Sequence, residues 1–255
     1  FDSPAKAFIQ HPKLNAHFMP KPSKREFDIG TAAHSLLLEG IDSIEVIDRP
    51  DWRTKEAQAV REHAYAIGKT PLLTKDYEKV HEMIEAADRQ IAECEELSIR
   101  NMRTDGDAEL SYIWQEGDIW IKTRPDWRSK DRKLTIDYKT TGTSANPNEF
   151  VRRIIDGGYD IQDALYRRGI KKLEDVDSKF VFVVQETEPP YLCSFISLSP
   201  MFRDIGEQKV DYGMFLWSQC LKNNSWPGYP NRVCYPDLPA WASASWELRA
   251  QEIGI

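Results

Sequence analysis

The sequence predicts an α/β domain in which an antiparallel meander is flanked by helices. Three observations predict it. Before about residue 105 the apolar residues recur at helical spacing. From about Glu109 the period shortens to alternating runs broken by turn residues. Later, Phe180–Val184 is an unbroken apolar run of the kind a buried strand carries.

Taken in order, Pro20–Ser23 is Pro- and Lys-rich and predicts a loop. Gly30–Glu39, GTAAHSLLLE, is small and apolar and closes on Gly40, as a buried helix with a glycine stop would. A short strand is expected at Ile44–Ile47. Thr74 is placed to cap a helix that carries Val80, Met83, Ile84, Ala87 and Ile91 on one face and acids on the other. Tyr112–Trp114 and Ile119–Lys122, joined through Glu116-Gly117-Asp118, predict a hairpin. A turn around Trp127–Asp131 then leads to a third strand, Lys133–Lys139. Asn146-Pro147 supplies a cap and a first-position proline for a helix that Gly157-Gly158 ends, with Phe150, Val151, Ile154 and Ile155 on its apolar face. A further helix is expected over about Asp160–Arg168, and Cys193–Leu198 can pair with the Phe180–Val184 strand. The tail, with Trp217, Trp226, Trp241, Trp246 and several prolines, predicts an irregular wrap and a terminal helix.

No repeat or long linker divides the chain, so residues 1–255 are expected to form one domain. It would have a helical part to about 105, a core over about 106–200 and the C-terminal wrap. The chain starts at Phe1 in mid-pattern, as a fragment of a longer protein would.

With 41% hydrophobic and 29% charged residues the composition is that of a soluble globular protein. No run of 18 apolar residues and no signal-peptide pattern occurs, which leaves membrane and secreted classes without support. Cys94, Cys193, Cys220 and Cys234 are widely spaced, so neither a zinc site, a disulfide framework nor an iron–sulfur cluster is expected, and a reducing cytoplasm is the simpler setting. The net charge of −7 argues against a protein that coats DNA. Yet Trp120–Thr140 holds seven basic residues against three acidic ones, while Asp76–Ile99 holds eight acidic against two basic. A basic working surface on an acidic molecule suits an enzyme that holds DNA locally, although both stretches also read as ordinary solvated faces, the acidic one above all.

The chemistry is carried by Arg-Pro-Asp at 124–126 and Asp-Tyr-Lys at 137–139. Phosphodiester cleavage needs an activated water and a stabilised leaving oxygen, which a hard divalent cation held by oxygen ligands can supply. On a strand, Asp137 and Lys139 face one way and Tyr138 the other, which leaves the Tyr138 carbonyl available. Asp126 can add a second carboxylate from upstream. A lone Asp-x-Lys is also a common surface pair, so the reading needs further support. Gln162 and Tyr166 lie four apart on one helix face, where amide and phenol can bond water or phosphate. His34, a satisfied core histidine if taken alone, becomes a candidate metal ligand in this company. Lys122 and Arg124 are candidates for phosphate contacts, whereas Arg152 and Arg153 read as surface charge.

Gly-Thr-Ala-Ala-His with Leu-Leu-Leu-Glu at 30–39, Arg-Pro-Asp at 124–126, Asp-Tyr-Lys-Thr-Thr at 137–141 and Gln-Asp-Ala-Leu-Tyr at 162–166 follow one another in order. Together with Phe180–Val184 and Ser-Trp-Pro at 225–227, this set resembles the RecE (exonuclease VIII) group of the PD-(D/E)XK nuclease superfamily, related to lambda exonuclease and RecB-like nucleases. The resemblance runs from about Phe1 to Trp246. It implies a PD-(D/E)XK core with a mixed central sheet between helices, and a 5′→3′ exonuclease acting on the ends of linear double-stranded DNA. It also implies Mg²⁺, with Mn²⁺ as a substitute, and a ring-shaped homo-oligomer, a tetramer by preference. The 3′ tails would pass to a single-strand annealing or recombinase partner of the RecT kind, in a phage or prophage module. By position, His34, Asp126, Asp137 and the Tyr138 carbonyl match the metal ligands, Lys139 the catalytic lysine, and Gln162 and Tyr166 the Gln–Tyr motif. Glu109 and Glu39 fall where the superfamily often has a helping acid. Asp137 stands where many members have Glu, within the family pattern. Two other readings stay open: a RecB-like nuclease of other polarity or an endonuclease on the same core, and a non-catalytic DNA-end-binding subunit.

Overall fold

The computed structural model describes residues 3–19, 25–39, 43–102 and 104–254. Along the chain these form α1 (Pro4–Gln10), α2 (Arg25–Leu38), β1 (Ile44–Ile47), α3 (Lys55–Ala66), β2 (Thr70–Leu73), α4 (Thr74–Ala92), α5 (Leu97–Arg100) and β3 (Gly106–Ala108). Then come β4 (Tyr112–Glu116), β5 (Ile119–Thr123), β6 (Trp127–Ser129), β7 (Leu134–Thr141), α6 (Pro147–Gly157), α7 (Tyr159–Glu174), β8 (Lys179–Glu186), β9 (Cys193–Ile196), α8 (Pro200–Asn223) and α9 (Ala240–Ile253). The loop expected at Pro20–Ser23 and the glycine stop at Gly40 lie outside the described residues. Contacts divide the chain into two compact units, residues 20–218 and residues 1–19 with 219–255.

The larger unit is built on a mixed sheet of order β3-β6-β7-β8-β9, in which β7 and β8 are parallel and the other neighbours antiparallel. The expected antiparallel run is present with different members. Trp127–Ser129, expected in a turn, is strand β6, and β3-β6-β7 makes the run. The β4–β5 hairpin forms a separate two-stranded sheet instead of joining β7. The physical reason is Arg128, which is fully buried and anchors β6 by donating to Thr135 Oγ1, Ser178 Oγ and Glu174. A charged residue in a Pro-, Ser- and Asp-rich stretch reads as turn, and only the buried acceptors reveal it as strand.

Sheet register sorts side chains to two faces. Ile136, Tyr138, Val181 and Val183 pack with Ala32, Ala33 and Leu37 of α2 and Val80, Met83, Ala87 and Ile91 of α4. On the opposite face, Phe180, Phe182 and Val184 pack with Phe150 and Ile154 of α6 and with Tyr159 and Tyr166 of α7. The small residues of GTAAH let α2 lie close on β7: a Cβ on Gly30 would stand 2.8 Å from Thr140 Oγ1. α4 buries the expected face, but Leu73 occupies its cap position and Thr74 is the first helical residue. The chain passes from β2 straight into α4, and Leu73 is needed opposite Ile47 in the parallel β1–β2 pair. Asn146 caps α6 by accepting from Asn148 N at 3.0 Å, and left-handed Gly158 ends α6 and starts α7.

In the smaller unit Ser3 caps α1, Ala5 N donates to the Pro227 carbonyl at 3.2 Å, and the rings of Phe8 and Trp226 lie 5.4 Å apart. The terminal helix expected in the tail is α9, whereas Trp217 lies in the long helix α8. Among the described residues no helix is long and apolar enough to cross a membrane.

Candidate metal centre

The centre is positioned by β7. The carbonyls of Lys133 and Thr141 accept from Lys179 N and Thr187 N, so the odd-numbered residues turn their peptide groups towards β8. Even-numbered residues turn theirs to the other edge. There β6 pairs only with Thr135 and Ile136, and the Tyr138 peptide is left for another partner. That partner is Asp126, immediately before β6, whose Oδ2 accepts from Tyr138 N at 2.7 Å. The Tyr138 carbonyl points to the same open edge as its N–H. Its side chain lies on the far face and donates to Gln185 Oε1 at 2.5 Å.

His34, on α2, faces that edge. Its Nε2 lies 3.2 Å from both Asp126 Oδ1 and Glu109 Oε1, and its Nδ1 lies 3.5 Å from Glu39 Oε1. Ligand atoms of His34, Glu39 and Glu109 all fall within 4.8 Å of one another, a grouping able to hold a metal ion. Burial opposes protonation of His34, but the Asp126 hydrogen bond and the charges of Asp126, Glu109 and Glu39 raise its pKa overall. Glu109 is raised by burial, against the charges of His34 and Arg124. It sits in the left-handed region at φ +57°, held by its N–H on the Asp126 carbonyl at 3.0 Å. A non-glycine residue so placed costs about 1–3 kcal/mol, and it brings the carboxylate inward. Glu109 is thus a half-buried neighbour of His34, just past the end of β3. Arg124 pairs with it, Nε to Oε2 at 2.6 Å.

Asp137 and Lys139 share a face, opposite to the Tyr138 side chain, and it is the α6–α7 side. Asp137 is almost fully buried, with one oxygen on the Lys139 ammonium and the other accepting from the Gln162 amide. Burial, with the nearby charge of Asp126, pushes the Asp137 carboxyl up to about 6, despite Lys139 and Gln162. Burial works against the Lys139 cation, yet Asp137 outweighs it and the pKa rises. In this arrangement the Lys139 ammonium is held in its charged form beside Asp137. Burial likewise raises Tyr166, which stays a neutral donor on the Gln162 face of α7.

The structure therefore brings His34, Glu39, Glu109, Asp126 and Arg124 into one cluster and Asp137, Lys139 and Gln162 into a second. The Asp126–Tyr138 hydrogen bond joins them. Lys122 stays on the exposed face of β5, outside both. Sequence reasoning missed Tyr159, whose ring lies 5.3 Å from the Lys139 ammonium. Its place three residues before Gln162 on one helix face is the signal that could have found it.

No curated protein matches the chain. A solved structure from Eubacterium rectale, described as a "putative exonuclease", is similar in fold with a TM-score of 0.58. It is 14% identical, and the likeness covers 89% of this chain and 82% of that one. A family model described as a PDDEXK-like domain of unknown function (DUF3799) matches residues 3–238. With a match over that span, on a mixed sheet whose strand β7 carries Asp137 and Lys139, the chain belongs to this PDDEXK-like family.

Proposed function

We propose that this chain is a Mg²⁺-dependent 5′→3′ exonuclease of the RecE kind, which degrades linear double-stranded DNA and leaves 3′ single-stranded tails for recombination. The observation that carries the reading is the continuous line of contacts from His34 through Asp126 and the Tyr138 peptide to Asp137 and Lys139. Polarity rests on the motif resemblance. So do cytoplasmic action in a phage or prophage module, a tetrameric ring and a single-strand annealing partner of the RecT kind.

The donors present fit a hard divalent cation: carboxylates of Asp126 and Asp137, the Tyr138 carbonyl and one imidazole nitrogen, with no thiolate in either cluster. When bound, Mg²⁺ or Mn²⁺ would supply Lewis-acid stabilisation and an acidified water. The chain's own residues do the rest. His34 would turn Nε2 to the ion while Glu39, beside Nδ1, fixes the tautomer. Asp126 holds the Tyr138 peptide so that its carbonyl stays on the ligand edge. Lys139, kept charged by Asp137, donates to the attacking water or the scissile phosphate, and Gln162 holds Asp137 in place. Tyr166 and Arg124 are the nearest further donors for phosphate oxygens.

Purified protein with Mg²⁺, given end-labelled linear duplex and closed circular plasmid, tests the reading. Nucleotides released from the 5′-labelled end alone, with the circle intact, are expected. Cutting of the circle would make it an endonuclease, and release from the 3′ end would reverse the polarity. Linear duplex left whole with both Mg²⁺ and Mn²⁺ would favour a non-catalytic end-binding subunit.

A further inference from the structure

The β4–β5 hairpin has one face accounted for and one that is not. Tyr112, Trp114 and Ile121 pack on α7, where Trp114 lies against Gly169 so closely that a Cβ there would stand 2.4 Å from its ring. The opposite face carries Ile113, Gln115, Trp120 and Lys122, with Ile113 opposite Lys122 and Gln115 opposite Trp120. The solvent face of such a sheet is ordinarily polar. Here Trp120 is 68% and Ile113 55% exposed. The packing of the hairpin on α7 comes from the other face, and Trp120 stands outside that cluster.

Its position gives it a use. Trp120 and Lys122 alternate along β5 and share a face, and Arg124, also exposed, follows just past the end of the strand. Successive members lie about 7 Å apart at the usual strand rise. The stripe ends at the candidate metal centre, since Arg124 pairs with Glu109 and Glu109 touches His34. Lys122 makes no ion pair with a described residue, in a chain of net charge −7. An aromatic plane followed by two cations, running into a phosphate-cleaving centre, is the arrangement that holds a single nucleic-acid strand. The ring stacks an unpaired base and the cations track its backbone.

We propose that the outer face of the hairpin is a strand-binding platform, on which Trp120 stacks an unpaired base of the DNA and Lys122 and Arg124 hold adjoining phosphates. This rests on the nuclease reading above. The platform favours substrates with unpaired bases beside the cleavage site over fully paired duplex.

The test measures binding by fluorescence anisotropy in Ca²⁺, using the full chain, a duplex with an oligo(dT) tail and the same duplex blunt. Loss of one stacked base is expected to weaken tailed binding by about 5- to 150-fold in Trp120→Ala. Trp120→Leu should lose as much, and Trp120→Phe should stay within about twofold of wild type, because only Phe keeps a π face. Lys122→Ala should lower the slope of log affinity against log salt by about 1. Should Trp120→Ala fail to fold, the Leu and Phe variants decide alone. Wild-type affinity in Trp120→Leu overturns stacking. So does a change of oligomeric state in Trp120→Ala with DNA affinity unchanged, which would make the face a contact between copies. A wild-type protein that leaves DNA uncut in Mg²⁺, yet depends on Trp120 for binding, would sink the nuclease reading and leave the platform standing.

Discussion

Asp126 carries two duties that one pair of substitutions can separate. Its Oδ2 accepts from the Tyr138 peptide at 2.7 Å, and its Oδ1 faces His34 at 3.2 Å. Asp126→Ala leaves the Tyr138 N–H without its acceptor at an edge where β6 supplies none. Leaving a buried N–H without an acceptor costs about 1–3 kcal/mol. Against that stands the relief of repulsion, because the Asp126 charge raises both Asp137 and Glu109. Asp126→Asn relieves the same repulsion and keeps an acceptor for the peptide. The two variants should therefore differ in stability by about 2 kcal/mol, Ala below Asn, which in a chain of this size is about 4–8 °C in melting temperature. Cleavage should fall in both alike. Losing an anionic ligand removes several kcal/mol of charge stabilisation, about a thousandfold in rate at about 1.4 kcal/mol per decade. The assay is thermal melting without metal, beside turnover of linear duplex in Mg²⁺. Coincident melting of Ala and Asn would refute the role in holding the peptide. An Asn variant within tenfold of wild-type turnover would refute the role in holding the metal.

Asp137→Ala and Lys139→Ala should each abolish cleavage while DNA binding, followed by anisotropy, survives; near wild-type turnover in either would remove the centre from the chemistry. His34→Ala should shift the Mg²⁺ titration of activity to higher concentration, and an unchanged titration would return His34 to a packing role. Asp137, raised from the ordinary carboxylate range to about 6, costs the metal-free fold stability as it ionises, so its contribution is present at low pH and lost as pH rises towards about 6. A cation must displace that proton, and the melting-temperature gain from Mg²⁺ should therefore be larger at pH 7.5 than at pH 5; equal gains would contradict it. Arg128→Met should lower stability by about 3 kcal/mol, because it strips Glu174, Thr135 and Ser178 of a fully buried partner, and urea unfolding of an otherwise folded variant measures it.

The sequence by itself determined the parts whose signals are local. GTAAH is small because α2 must lie against β7, Asn146-Pro147 and Gly157-Gly158 bound α6 through backbone chemistry, and Asp-Tyr-Lys splits its side chains by strand alternation. Ordered motifs were enough for the PD-(D/E)XK fold class, because the family model and the mixed sheet match what the motifs implied. What only the tertiary structure decided depends on neighbours distant in sequence. Strand β6 exists because Arg128 finds buried acceptors in Thr135, Ser178 and Glu174. Glu109 reaches His34 through a left-handed backbone held by Asp126, which no pattern of residue types announces. Asp126 serves first as the acceptor for a peptide that the sheet leaves unpaired, and that duty follows from where β6 stops pairing with β7. Spacing along the chain can nominate carboxylates for a metal. Which of them meet is set by the register of strands that are neighbours only in the folded sheet.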